Sequence, residues 1–225
     1  MSDGCLPRTP GHELALPPYR NGGKLLTLHY YGCKKVIKNR VKYSCQMGRI
    51  FHIHRYQSPC GPLLLGAMEG TLYLCDWAES PRCMPELRRM VASLGTVIEE
   101  SDDPVTAMTR EQLEEYFKGQ RIRFDLPVAT FGTEFQRTVR NSLTYIPYGN
   151  TLSYARVADA IGRPEAVRAA AAAIASNPLS IIVPCHRVVA SDGCLGGYRG
   201  GLTAKRFLLT LEQRHNTDVL EYVYF

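Results

Sequence analysis

The chain has 225 residues, 45% of them hydrophobic and 21% charged, with a formal net charge of +6. This is the composition of a globular protein long enough for one large or two small domains with a real core. No apolar run approaches the roughly 18 residues that a membrane span needs, and the first thirty residues carry polar and proline interruptions where a signal peptide would be apolar. An intracellular, cytoplasmic protein with no membrane partner is therefore expected.

Charge is distributed unevenly. Residues 1–47 hold eight Lys/Arg against two Asp/Glu, residues 48–127 nine against twelve, and residues 128–225 ten against seven. A polyanion would find its folded surface in the basic last segment, and the basic first segment would add only non-specific attraction. Residues 1–47 contain Pro17-Pro18, Asn21-Gly22-Gly23 and a basic run from Lys34 to Lys42, with no sustained period. They read as a poorly ordered extension ahead of Met47, which is itself a possible start.

From Ile50 to Leu74 the pattern changes to strands and turns. Phe51, Ile53 and Tyr56 precede a Ser58-Pro59-Cys60-Gly61 turn, followed by apolar runs at Leu63–Ala67 and Leu72–Leu74, a β-meander in outline. Helices are expected over Glu86–Leu94 and Thr106–Phe117, the second ended by Gly119. His52 and His54 share a strand face by their spacing, but no third ligand accompanies them, so solvent-facing histidines are the expectation and no metal is assigned.

The last segment reads as mainly helical. Thr133 can cap a helix through Phe135, Val139 and Leu143, and Ser153 can cap another through Val157 and Ile161. After Arg163, Pro164 suits the first position of a third helix that carries Arg168 and the alanines Ala169 to Ala173. The last two make a helix-turn-helix candidate. An alanine-rich helix is a common core element, but its small side chains also permit close approach to a nucleic-acid backbone, with Arg168 at its positive end.

The eight cysteines, Cys5, Cys33, Cys45, Cys60, Cys75, Cys83, Cys185 and Cys194, contain no C-x-x-C pair, and reduced thiols are expected. Only Cys185 follows a proline and precedes a histidine and an arginine, within the apolar, strand-like run Ile181–Val189. Neighbouring His186 and Arg187 could bias its thiol, whose ordinary pKa is about 8.5, toward the reactive thiolate.

Ser153-Tyr154, Arg168, Asn177-Pro178, Pro184–Val189 (PCHRVV), Gly197-Tyr198 and Leu208–Glu212 occur in register. With them the chain closely resembles the O6-alkylguanine-DNA alkyltransferases, also called methylated-DNA–protein-cysteine methyltransferases, over roughly residues 56–214. The resemblance implies an α+β fold. A small N-terminal α/β domain over 48–127, with a mostly antiparallel, ribonuclease H-like sheet, would precede a mainly helical, winged helix-turn-helix-like domain over 128–214. Residues 215–225 would be a tail.

It further implies a monomer without cofactor that repairs double-stranded DNA. The O6-alkyl group of guanine, and by extension that of O4-alkylthymine, would move irreversibly to Cys185, consuming the protein. His186 would act as base through a bound water, oriented by Glu212, and Asn177 would tie the preceding turn to the catalytic loop. Tyr154 would contact the target nucleotide, favour its rotation and assist departure of guanine. Val188, through its carbonyl, and Tyr198 would line the guanine pocket. Arg168 would replace the extruded base, with Ala169 and Ala170 against the minor groove.

Three departures stand out. Met68 and Tyr73 occupy the places of a cysteine and a histidine that hold zinc in some animal members, so zinc is not expected. Arg199 follows Tyr198 where other members carry serine, which bears on bulky adducts. Residues 1–47 lack the four-cysteine domain of regulatory bacterial relatives. Competing readings are a cysteine hydrolase built on Cys185, His186 and Glu212, a lesion-sensing or regulatory DNA-binding protein, and a buried structural cysteine.

Overall fold

A computed structural model describes residues 20–21, 24–25, 49–129 and 131–216. Its strands are β1 (Arg20–Asn21), β2 (Lys24–Leu25), β3 (Ile50–Ser58), β4 (Gly61–Met68), β5 (Thr71–Trp77), β6 (Val97–Glu100), β7 (Leu152–Ser153) and β8 (Val188–Val189). The helices are α1 (Cys83–Leu94), α2 (Pro104–Phe117), α3 (Glu134–Leu143), α4 (Tyr154–Ala160), α5 (Val167–Ala175) and α6 (Gly201–Asn216). The expectation of poor order in residues 1–47 and of a tail at 215–225 falls mostly outside the described residues.

The expected meander is β3, β4 and β5, all antiparallel, within a mixed sheet of order β2-β1-β6-β3-β4-β5. Strand β6 joins β3 in parallel and β1 joins β6 in parallel. At the β4–β5 turn, Glu69 and Gly70 both take positive φ, 50° and 74°, the geometry whose twist suits a two-residue hairpin. Both faces of β4 are covered. Leu63, Leu65 and Ala67 pack toward Leu113 and Tyr116 of α2 and the C-terminal helices, while Leu64 and Met68 pack toward Leu87, Met90 and Val91 of α1. That two-residue alternation is the pleat, and each fully buried leucine contributes about 1.5–3 kcal/mol.

Helix α2 begins two residues before the expected start because Asp103 caps it, accepting from Val105 N at 2.8 Å, and Pro104 fills the first position, where no amide hydrogen is needed. Thr133 caps α3 reciprocally with Gln136, and Ser153 caps α4 by accepting from Arg156 N at 3.2 Å, both as read from sequence. Pro164 does not open α5. It opens a single 3-10 turn, Pro164–Ala166, and α5 starts at Val167.

The outer edge of β5 carries the rest of the chain. Leu72 N donates to Pro127 O at 2.7 Å and receives Ala129 N on its own carbonyl at 2.8 Å, while Cys75 N donates to Pro178 O at 2.9 Å and Cys75 O accepts from Ser180 N at 2.7 Å. An edge that would otherwise present unpaired amides thus fixes the segment leading to Cys185.

His52 Nδ1 hydrogen-bonds Ser101 Oγ at 2.7 Å, and His54 lies 3.1 Å from Arg110 and 3.5 Å from Asp102. Neither histidine faces solvent freely, contrary to expectation, because both are matched by polar groups of neighbouring elements. Among the described residues no helix is long and apolar enough to cross a membrane.

Candidate active site

Cys185 does not lie in a strand. Residues Cys185–Arg187 form a 3-10 turn, and only Val188–Val189 beyond it pair, in parallel with β7. The run turns because Ile181 takes φ of 71° and the following amides bond backwards locally: Ile182 N to Ser180 O at 2.9 Å, Cys185 N to Val183 O at 2.8 Å, Arg187 N to Pro184 O at 3.0 Å. A β-branched residue at positive φ costs about 1–3 kcal/mol and persists only where the surroundings over-determine it. Asn177, 1% exposed, does this. Its Nδ2 donates to Leu179 O at 3.2 Å and Val183 O at 3.0 Å, and its Oδ1 accepts from Leu179 N at 3.1 Å. Asn177 thus ties the turn at Ile181 to the segment that leads into Cys185.

Around the thiol the electrostatics differ from expectation. Burial pushes the Cys185 thiol above its ordinary value, opposed by a hydrogen bond from Asn177 and by the charges of Arg199 and Lys205. Arg187 takes little part because its guanidinium faces Glu212, with Nε to Oε2 and Nη2 to Oε1 both at 2.9 Å, and Nη1 donating to Ile146 O at 2.6 Å. The resting group is a thiol.

Glu212 is fully buried on α6 and accepts five hydrogen bonds: two from Arg187, one from His186 Nε2 at 2.9 Å, one from Tyr116 Oη at 2.7 Å and one from Gly149 N at 3.1 Å. Burial by itself would raise this carboxyl, but the His186 and Arg187 interactions outweigh it and hold the pKa at about 2. His186, also fully buried, is pushed down by desolvation against the pull of Glu212, so it rests neutral. Facing an ionised carboxylate that can only accept, Nε2 must carry the hydrogen. The lone pair then sits on Nδ1, which is buried and has no hydrogen-bond partner among the described residues.

A cavity of about 440 Å³ opens beside this relay, within the range that takes small organic molecules. Cys185, Asn177, Tyr154, Tyr198 and Arg199 all line it. Tyr154, at the start of α4, is half-buried with its ring against Gly196. The Tyr198 hydroxyl is buried without a partner among the described residues, and its ring meets Trp77 and His186 edge-on at 5.8 and 6.5 Å. Val188 is not among the lining residues, and its carbonyl accepts from Lys205 Nζ at 2.6 Å. One lone pair of that carbonyl remains.

Lys205 was not singled out from the sequence. It is fully buried, donates also to Leu195 O, and burial lowers its pKa to about 8. Its position seven residues before Glu212, on the same face of α6 as buried Leu208 and Leu209, was the available signal. Tyr116 and Gly149 were also missed, for want of any local signal.

Arg168 and Ala169 are exposed near the start of α5, whereas Ala170 is fully buried. The expectation that Ala170 meets DNA is thus corrected: an alanine run has no hydrophobic period to reveal its inner face, and α5 packs that residue inward with Ala173 and Ile174. Arg156 and Arg163 are exposed nearby.

The halves of the chain meet at Arg199. Its Nη1 donates to Asp76 Oδ2 and to Glu86 Oε2, both at 2.6 Å, and its Nη2 to Glu86 Oε1 at 3.1 Å and to Ala175 O at 2.9 Å.

Family models extend these likenesses. Residues 52–130 match the 6-O-methylguanine DNA methyltransferase, ribonuclease-like domain, and residues 134–214 match the DNA binding domain of the same family. A methylated-DNA–protein-cysteine methyltransferase of Methanosarcina barkeri is 39% identical over 172 residues, covering 71% of this chain and 95% of that protein. The inducible one of Bacillus subtilis is 46% identical over 125 residues, covering 56% of this chain and 69% of that protein. Among solved structures, Mycobacterium tuberculosis OGT in complex with DNA is similar, with a TM-score of 0.63 and 37% identity over 73% of this chain and 94% of that one.

Proposed function

Because the chain belongs to the 6-O-methylguanine DNA methyltransferase family, we propose that it repairs DNA by direct damage reversal, moving one alkyl group from guanine O6 in double-stranded DNA to Cys185 Sγ. The observation that carries this reading is a cavity lined by Cys185, beside a neutral His186 that spends one nitrogen on Glu212 and keeps the other free.

In the transfer, Cys185 loses its proton toward His186 Nδ1, through a water in this reading, and Glu212 stabilises the imidazolium that forms. Sulfur attacks the saturated carbon. The new S–C bond forms as the C–O6 bond breaks, and the electron pair stays on the guanine. Tyr154, whose hydroxyl burial keeps protonated, gives guanine its proton and regains one from solvent, while His186 releases to solvent the proton it took from Cys185. Summed, one hydrogen is lost from the thiol and one gained by guanine, and a thioether remains on the protein. A thioether has no easy leaving route, so each molecule acts once.

Reaching the cavity requires the nucleotide to leave the stack, at a few kcal/mol. Exposed Arg168 fills the gap, Ala169 allows close approach, and Arg156 and Arg163 add phosphate attraction. Asn177 holds the turn beneath Cys185, and Tyr198 faces the base from the cavity wall, whereas the Val188 carbonyl, expected there, is turned to Lys205. Residues 48–127 support the site and residues 128–214 carry it. All its groups come from one chain, so a monomer suffices.

The test uses duplex DNA with one O6-methylguanine and intact-protein mass. One methyl increment per molecule, mapped to the Cys185 peptide and absent in Cys185→Ala, is expected. Transfer that persists in Cys185→Ala would sink the reading. Repeated turnover on an ester would favour the hydrolase, and binding without transfer the lesion sensor.

A further inference from the structure

Tyr198 lines the cavity together with Cys185, and two other rings flank it. It meets His186 edge-on at 6.5 Å and Trp77, the last residue of β5, edge-on at 5.8 Å. Trp77 does not line the cavity; it is 4% exposed and packs against backbone. A Cβ at Gly200 would come within 2.3 Å of the indole and one at Gly61 within 3.4 Å, so the ring has little room to turn elsewhere. The indole Nε1 and the Tyr198 Oη are both buried, and neither has a closed hydrogen bond among the described residues. An indole nitrogen only donates and a phenol oxygen also accepts, so each is the complement the other lacks. Burial and the neighbouring Cys185 push the Tyr198 hydroxyl well above its ordinary range, and the Trp77 N–H opposes them, as a donor turned toward that oxygen does.

We propose that Trp77 is a positioning residue for the transfer: its indole N–H closes on the Tyr198 hydroxyl and fixes the tyrosine wall of the cavity, so that the N-terminal sheet sets the orientation of a wall beside Cys185. Leaving two buried polar atoms unpaired is costly, and satisfying each by the other gives the tyrosine ring one preferred setting. Once that setting is lost, a base lying against the ring is held less well in line for attack by sulfur. Such misplacement slows transfer more than it weakens binding.

This inference rests on the repair reading above, and its test separates the two. Single-turnover methyl transfer from duplex O6-methylguanine is followed at rising DNA concentration for the wild type, Trp77→Phe, Tyr198→Phe and the double variant, because phenylalanine keeps an aromatic ring and removes the polar atom. Trp77→Phe should lower the maximal rate by about three- to tenfold, the worth of one neutral hydrogen bond, and leave the half-saturating concentration unchanged. In the Tyr198→Phe background the same substitution should change the rate by less than about twofold. Equal losses in both backgrounds, or a loss confined to the half-saturating concentration, would overturn the proposal. Trp77 is the only tryptophan of the chain, so its emission gives a second measurement that leaves it in place. Tyr198→Phe should move the emission maximum to shorter wavelength as the indole loses its acceptor, and an unchanged spectrum would overturn the pairing even if Trp77→Phe did not fold. Absence of methyl transfer in the wild type would overturn the repair reading instead, with the emission still testing the pair.

Discussion

Replacing Glu212 with glutamine keeps the side-chain size and removes the charge on which five donors converge. In the folded protein the carboxyl lies at about 2 against an ordinary 4.5. At about 1.4 kcal/mol per tenfold change in proton affinity, that gap represents about 3 kcal/mol of stability near neutral pH. Stranding the buried Arg187 leads independently to about 3–5 kcal/mol. Because the folded value is depressed, the contribution is complete above about pH 4.5 and fades as the pH falls toward about 2. By about pH 3, about 2 kcal/mol of it is gone. Urea unfolding at neutral pH and at about pH 3 measures this directly. The wild type should exceed Glu212→Gln by about 3–5 kcal/mol at neutral pH, and the margin should narrow by about 2 kcal/mol at the lower pH. Groups away from Glu212 titrate in both proteins and cancel in the difference, and His186, whose pKa Glu212 raises, is removed from it by making the comparison in a His186→Gln background. A margin below about 1 kcal/mol at neutral pH, or one independent of pH, would refute the view that the carboxylate is ionised and over-satisfied. The variant should also transfer methyl about a hundredfold or more slowly, through a misoriented His186.

Arg168→Ala should weaken repair of duplex DNA much more than reaction with free O6-benzylguanine, since only the duplex leaves a gap to fill; equal losses, read by the Cys185 increment, would remove its role in base replacement. Gly200→Ala forces a Cβ against the Trp77 ring and should destabilise by about 1–3 kcal/mol in urea unfolding, and a neutral result would mean that the Tyr198–Gly200 segment is not packed as described.

Features governed by neighbours in sequence were legible in advance. Thr133 and Ser153 cap their helices because the groups they satisfy lie three residues on. The meander follows from alternation interrupted by turns. The PCHRVV stretch, in register with Asn177-Pro178 upstream and Glu212 downstream, makes Cys185, His186 and Glu212 the candidate nucleophile, base and orienter, and the last two lie 2.9 Å apart. Expectations failed where local signal was absent or misleading. An apolar run was read as a strand, yet Ile181 at positive φ and the grip of Asn177 turn it. The alanines of α5 gave no inner face. Arg187, two positions after Cys185 in sequence, suggests a partner for the thiol, but the turn directs its side chain to Glu212.

By itself, then, the sequence determined the β3–β5 meander and the Thr133 and Ser153 caps, because these depend on residues within a few positions of one another, while the candidate reactive set came from motifs in register with a known family. Only the tertiary structure decided the charge states and the shape of the site. The partners that fix them lie far apart in sequence: Tyr116 with Glu212 across 96 positions, and Arg199 with Asp76 across 123. Burial, which raises the thiol and neutralises the histidine, and the His186 and Arg187 contacts that hold the carboxylate ionised against burial exist only once those distant segments have packed.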